Sequence, residues 1–297
     1  MRAKAGRIPQ EKLSNESSSN LQPSMTRRPT IGVFDSGFGG LTVLKALLEL
    51  IPGADYAYFG DTARLPYGSK SVETVARYAV EAAHFLESHG AQLLVIACNT
   101  ATALALERIT VSARVPVVGV VEPGAEAASA ASKNQKAVVI GTEATVSSHA
   151  YQKALESRGL QAQEKACPLL VPLVEEGWIE HAVTEQVAKI YLDEAFAGEF
   201  RDADVLVLGC THYPLLKPLL RRVAPTHVTV VDSAESTARA VASHLRQFVL
   251  PGSTDEERRA HPRLKFFVTD SVEKFRRMGG RFLGRVIEDA EHVDLKE

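Results

Sequence analysis

Two of the three cysteines stand in matching surroundings. Cys98 follows the apolar run QLLVIA and opens Cys-Asn-Thr, while Cys210 follows DVLVLG and opens Cys-Thr-His. Runs of this kind read as buried strands, so each thiol falls where a strand ends and a helix is expected to begin. Free backbone N–H groups and the positive helix end at such a turn favour thiolate over thiol, and a thiolate can serve as base or nucleophile. Asn99, Thr100 and Thr211 add short hydrogen-bonding groups, suited equally to capping a helix and to gripping a carboxylate. His212 lies two residues beyond Cys210 and could take or give its proton. Cys167, in KACPLLVPL, lacks polar neighbours of this kind and reads as a packed thiol.

A second cluster precedes them. The segment DSGFGG follows the run IGVF, and its glycines at 37, 39 and 40 would let the backbone approach a ligand closely while Asp35 and Ser36 point into a cleft; capping of the next helix by either residue is the competing use. A dinucleotide fingerprint would need glycine where Thr42 stands, and no phosphate-loop lysine follows. Cys98, Cys210, His212 and Asp35 are ligand types, yet no CxxC, HxxxH or HExxH spacing joins them, so no metal site is expected. Nothing in the sequence displays the lysine and phosphate cup that a pyridine cofactor requires, so no cofactor is expected either. Glu175 and Glu176 follow LLVPLV, where a solvated helix start explains acids as well as a site does; Glu175 is kept as the weaker candidate.

The elements that must carry these residues follow from hydropathy. Nearly all-apolar runs at IGVF, ADYAYF (54–59), QLLVIA (92–97), VPVVGVV (115–121), AVVIGT (137–142), DVLVLG (204–209), THVTVVD (226–232) and LKFFVTD (264–270) alternate with segments of helical period. The helical segments are 41–51, 71–88, 101–109, about 147–157, about 179–196, about 234–248 and a last short one, with a short strand near 160–166. This alternation is α/β architecture with parallel sheets covered on both faces. Cys98 and Cys210 each follow, by similar spacing, a strand with a polar glycine-containing exit (VFDSG and VVIGT), which points to two related units. Two sets of strand C-terminal ends facing across a cleft would enclose a small molecule.

Composition agrees. At 297 residues, with 45% apolar and 24% charged residues, the chain is long enough for two domains and is neither disordered nor disulfide-stapled. Its net charge of −2 offers no basic surplus for a nucleic-acid backbone, and no apolar run is long enough to span a membrane. A cytoplasmic protein is expected. Residues 1–29, rich in Ser, Asn, Gln, Lys and Arg, show no apolar period and read as a flexible tail; translation could equally begin at Met25.

Taken together, IGVFDSGFGGLTVL, YFGDTARLPYGSKS, LVIACNTATA, VVIGTEATV, VPLVEEG and LVLGCTHYPLL resemble the glutamate racemases of the aspartate/glutamate racemase family, over about residues 31–270. Aspartate racemases usually carry an acidic residue after the second Cys-Thr, so His212 argues for the glutamate branch. The resemblance implies two pseudo-symmetric doubly wound domains, 30–122 plus 232–297 and an inserted 123–231, with the active site between them and no cofactor. It implies Cys98 and Cys210 as the catalytic pair, Asp35 assisting the first and His212 with Glu175 the second. Substrate contacts would come from Asp35, Ser36, Tyr67, Gly68, Asn99, Thr100, Thr142, Thr211 and His212. The thiol at 98 would serve D-glutamate and that at 210 L-glutamate, the product feeding peptidoglycan synthesis. Glutamate is the one partner it implies; a homodimer is left open, and an aspartate racemase or a non-enzymatic binding protein on the same fold are the alternatives.

Overall fold

The computed structural model describes residues 28–248 and 261–295. The first unit of the chain runs β1 (Thr30–Asp35), α1 (Leu41–Leu50), β2 (Asp55–Gly60), α2 (Val72–Ser88), β3 (Leu93–Ile96), α3 (Asn99–Ser112) and β4 (Val117–Gly119). Next come α4 (Val121–Ala131), β5 (Lys136–Gly141), α5 (Glu143–Ser147), α6 (Ala150–Glu156), β6 (Gln161–Ala166), α7 (Leu170–Glu175), α8 (Ala182–Ala195), β7 (Val205–Gly209), α9 (Lys217–Val223) and β8 (Thr229–Asp232). The chain closes with α10 (Ser233–Phe248), β9 (Leu264–Val268), α11 (Val272–Leu283) and β10 (Glu291–His292). Most of the expected tail and most of the polar loop at 251–263 lie outside the described residues. The last two tail residues belong to the fold: Arg28 Nε donates to Gly53 O at 3.3 Å, and Pro29 O accepts from Asp55 N at 2.9 Å.

Two sheets form, with strand orders β10-β9-β2-β1-β3-β4 and β6-β5-β7-β8, and each described pairing is parallel. The α/β architecture expected from the alternation is therefore present as two sheets. β9 lies beside β2, with Leu264 opposite Tyr56, although the whole of the second sheet intervenes in sequence. Bonds from the Arg263 guanidinium to Asp55 Oδ2 at 2.8 and 2.6 Å fasten that junction. Burial alone would raise Asp55, but Arg263 and Arg28 together hold it below the ordinary carboxylate value.

Period-two alternation explains why the strands read as continuous apolar runs. In β1, Ile31 and Val33 enter one apolar core and Phe34 another; in β7, Leu206 and Leu208 enter the first of these cores, while Val205 and Val207 enter a third. The core shared by β1 and β7 also receives α1, α10 and α11 side chains, so one continuous apolar layer joins the two sheets. Each fully buried Val, Leu or Phe in it contributes roughly 1.5–3 kcal/mol relative to exposure. With the central strands covered on both faces, the strand C-terminal ends are one place where polar groups collect.

Candidate active site

The C-terminal ends of β1, β3, β5 and β7 converge on a cavity of about 550 Å³. Cys98 and Cys210 both line it, one from each sheet, and both are buried, at 4% and 5% exposure. Cys98 is the residue before α3, and its Sγ accepts from Ala101 N at 3.4 Å and donates to Ser36 Oγ at 3.5 Å. Local sequence alone suggested a thiolate there. Instead, burial pushes the Cys98 thiol up to about 12, with repulsion from Asp35 adding to it; the bonds from Ser36 and Ala101 do not offset the loss of water.

Cys210 has a different partner. Its Sγ lies 4.0 Å from His212 Nδ1, and His212 Nε2 lies 3.2 Å from Glu175 Oε1 at the end of α7. Burial of His212 opposes its charge, but Cys210 and Glu175 outweigh burial and raise the imidazole to about 10. Glu175 feels the same pairing: burial would raise it, and His212, helped by Lys274, holds it below the ordinary range. Phe282 of α11 meets the imidazole edge-on at 5.1 Å, so both units of the fold fix the ring.

Of the residues singled out in the sequence, Ser36, Tyr67, Gly68, Cys98, Asn99, Thr100, Thr142, Glu175, Cys210, Thr211 and His212 all line this one cavity. Asp35 stands behind the wall, fully buried; Oδ2 accepts from Gly37 N at 2.9 Å and Oδ1 from Thr211 Oγ1 at 3.5 Å. Its burial raises it, against the pull of His212 and of bonds from Gly40, Gly37 and Thr211. The glycine turn also serves a purpose beyond ligand approach. A Cβ on Gly39 would stand 2.2 Å from Thr211 Oγ1 and 2.7 Å from His212 Nδ1, so glycine lets the first sheet's turn press against the second sheet's Cys210-Thr211-His212 turn. Thr42, where a dinucleotide fingerprint would need glycine, donates to Gly39 O at 2.9 Å.

Further contacts cross the cleft. Thr100, Thr142 and Thr145 form a triangle of hydroxyls with sides of 2.9, 3.2 and 2.9 Å. Gly68 abuts Thr142, where a Cβ would come within 2.8 Å of the threonine Cβ. Tyr67 donates to Asp61 Oδ2 at 2.5 Å, and Thr269 Oγ1 donates to Asp61 Oδ1 at 2.9 Å, which holds the aromatic wall in place. Four polar lining residues escaped sequence reasoning: Thr62, Ser69, Glu143 and Lys274, with Ser69 and Glu143 inside the quoted segments YFGDTARLPYGSKS and VVIGTEATV. Thr62, whose buried hydroxyl has no partner, lay unmarked inside the quoted segment GDTAR, and Lys274 of α11 lies beyond the resemblance with no local signal. Cys167 is fully buried and does not line the cavity. Among the described residues no cluster of His, Cys, Asp and Glu is arranged to hold a metal, and no helix is long and apolar enough to cross a membrane.

Two open parallel sheets thus place paired thiols at strand ends around one cavity. The chain belongs to the Asp/Glu/Hydantoin racemase family, whose model matches residues 31–241. Within it, the chain is similar to the glutamate racemase of Koribacter versatilis, at 60% identity over 91% of this chain and 98% of that one. It is also similar to the glutamate racemase of Geobacter metallireducens, at 48% identity over 90% and 97%. The glutamate racemase of Francisella tularensis in complex with D-glutamate superposes with a TM-score of 0.82 at 35% identity, covering 91% of this chain and 99% of that one.

Proposed function

We propose that the chain interconverts L- and D-glutamate with Cys98 and Cys210 as the two proton carriers. The observation that carries this reading is the pair of buried thiols on one cavity, one from each sheet. Inverting a carbon requires one group to remove the α-proton while another delivers a proton to the opposite face. Cys98, kept as a thiol by burial, is set to deliver; Cys210 with His212 forms the side that accepts. From the other enantiomer the roles exchange. Asp35, whose charge Cys98 feels from behind the wall, is read as the group assisting that thiol, and the His212–Glu175 pair steadies the Cys210 side. Asn99, Thr62 and the threonine hydroxyls supply donors for the carboxylates, and exclusion of water on closing of the cleft over substrate would strengthen each of these bonds in the transition state.

The units enclosing the site divide, in this reading, as 30–122 plus 232–297 around 123–231. Glutamate is the substrate favoured by His212 after the second Cys-Thr and by the named relatives. D-glutamate made in this way would supply peptidoglycan synthesis.

Isotope exchange tests the reading. In deuterated water, product isolated at low conversion from either enantiomer should carry deuterium at the α-carbon, while recovered substrate keeps protium. One group swinging between faces would return protium to product or scramble label into substrate, and either result would discard the two-thiol path. Running aspartate in parallel decides the substrate.

A further inference from the structure

The cleft wall includes a side chain with one polar atom fixed and the other free. Asn99, at 3% exposure, accepts from the Tyr151 hydroxyl through Oδ1 at 2.6 Å, while its Nδ2 is buried without a partner. Buried amide nitrogens are rarely left in this state, and an unpartnered donor on a residue lining a cavity points to a ligand acceptor.

Tyr151 lies outside the cavity lining and reaches Asn99 from the other unit, α6 against α3. The ring is fully buried, and it lies where two glycines admit it: a Cβ on Gly124 would come within 3.1 Å of the hydroxyl, and one on Gly209 within 3.1 Å of the ring. Burial raises the phenol well above its ordinary value, against a bond with Ser233, so the hydroxyl keeps the proton that it donates to Asn99 Oδ1.

An amide has two faces of opposite sense. Turned one way it shows the cleft an N–H donor, which suits a carboxylate; turned the other it shows an acceptor, which suits an ammonium group. We propose that Tyr151 is a positioning residue that locks the Asn99 amide in its donor sense, so that this wall reads a carboxylate of the amino-acid substrate. The proposal rests on the racemase reading above. It also ties substrate binding to the contact between α6 and α3, because the locking hydroxyl and the locked amide belong to different units.

The test is a comparison of Tyr151→Phe with the wild-type protein for both glutamate enantiomers. Losing the lock should raise KM by about ten-fold in both directions while kcat changes by less than about three-fold. On an Asn99→Ala background, Tyr151→Phe should add no further loss, because the amide it orients is gone. An unchanged KM, or a full additional loss on that background, overturns the proposal. Asn99→Asp supplies a check that does not touch the aromatic core: it retains an acceptor for the Tyr151 hydroxyl but replaces the donor with a charge that repels carboxylate. Its KM should exceed that of Asn99→Ala, and an equal or lower KM also overturns the proposal. If the wild-type protein fails to racemise glutamate, both readings fall; if it is active and Tyr151→Phe matches it, only this one does.

Discussion

The three cysteines should separate cleanly in function. On the two-thiol reading proposed above, Cys98→Ala and Cys210→Ala each remove one proton carrier, and racemisation in both directions should drop by about 10²–10⁴-fold. Cys167→Ala should leave turnover within about two-fold while costing about 1 kcal/mol of stability through lost packing. Polarimetry and urea unfolding read the two effects. His212 yields a pH signature. Its folded value, raised from 6.5 to about 10, means that the charged ring stabilises the fold fully below the unfolded value, and that this contribution disappears as pH rises toward the folded one. The stability gap between wild type and His212→Gln should therefore narrow from about pH 6 to about pH 10; a widening gap would contradict the assignment. Residues in short local motifs, such as Cys98-Asn99-Thr100 and Cys210-Thr211-His212, were legible in the sequence because their neighbours declare them. Tyr151 and Lys274 were not, since their importance arises from contacts made only when distant segments meet.

Among the elements, the glycine turn before α1 bears most directly on activity. Gly39→Ala would force a methyl group against Thr211 and His212, and because one obstacle is the fixed end of a threonine, the two turns must part. Activity should fall by at least about ten-fold while the protein stays folded, seen as a lowered kcat with a melting shift of only a few degrees. Strand positions were largely readable because period-two apolar runs survive in a sheet buried on both faces. Helices were read less well. α4 escaped because Pro123 and Gly124 interrupt its start and, Val121 apart, its buried face is Pro123, Gly124, Ala125 and Ala128, too small to show an apolar period; those small residues also let it pack closely on α10. The expected helix at 147–157 divides at His149, whose φ of 55° ends α5 and begins α6.

For the whole molecule, removal of residues 1–24 should change neither melting temperature nor turnover. The described fold begins with Arg28 anchored on Gly53 and Asp55, and the family match begins at residue 31. Loss of soluble protein on truncation would show that the segment does more than precede the fold. The two-sheet plan was legible from the repeated strand-to-cysteine pattern, whereas the continuous apolar layer joining the sheets was not, because no local period tells which of two cores a side chain enters.

The position of β9 beside β2 has a consequence for the order in which the protein is made. A ribosome releases β2 early, but its neighbour at Leu264–Val268 emerges only after the whole of β5 to β8. The smaller sheet, drawn from one uninterrupted stretch, can therefore close while the larger one still has an open edge. That edge is apolar and unpaired for the length of synthesis of some two hundred residues, which makes the nascent first unit the stage most exposed to wrong pairing. Stalled chains ending before Leu264 should thus protect the smaller sheet from protease and leave β2 cleavable.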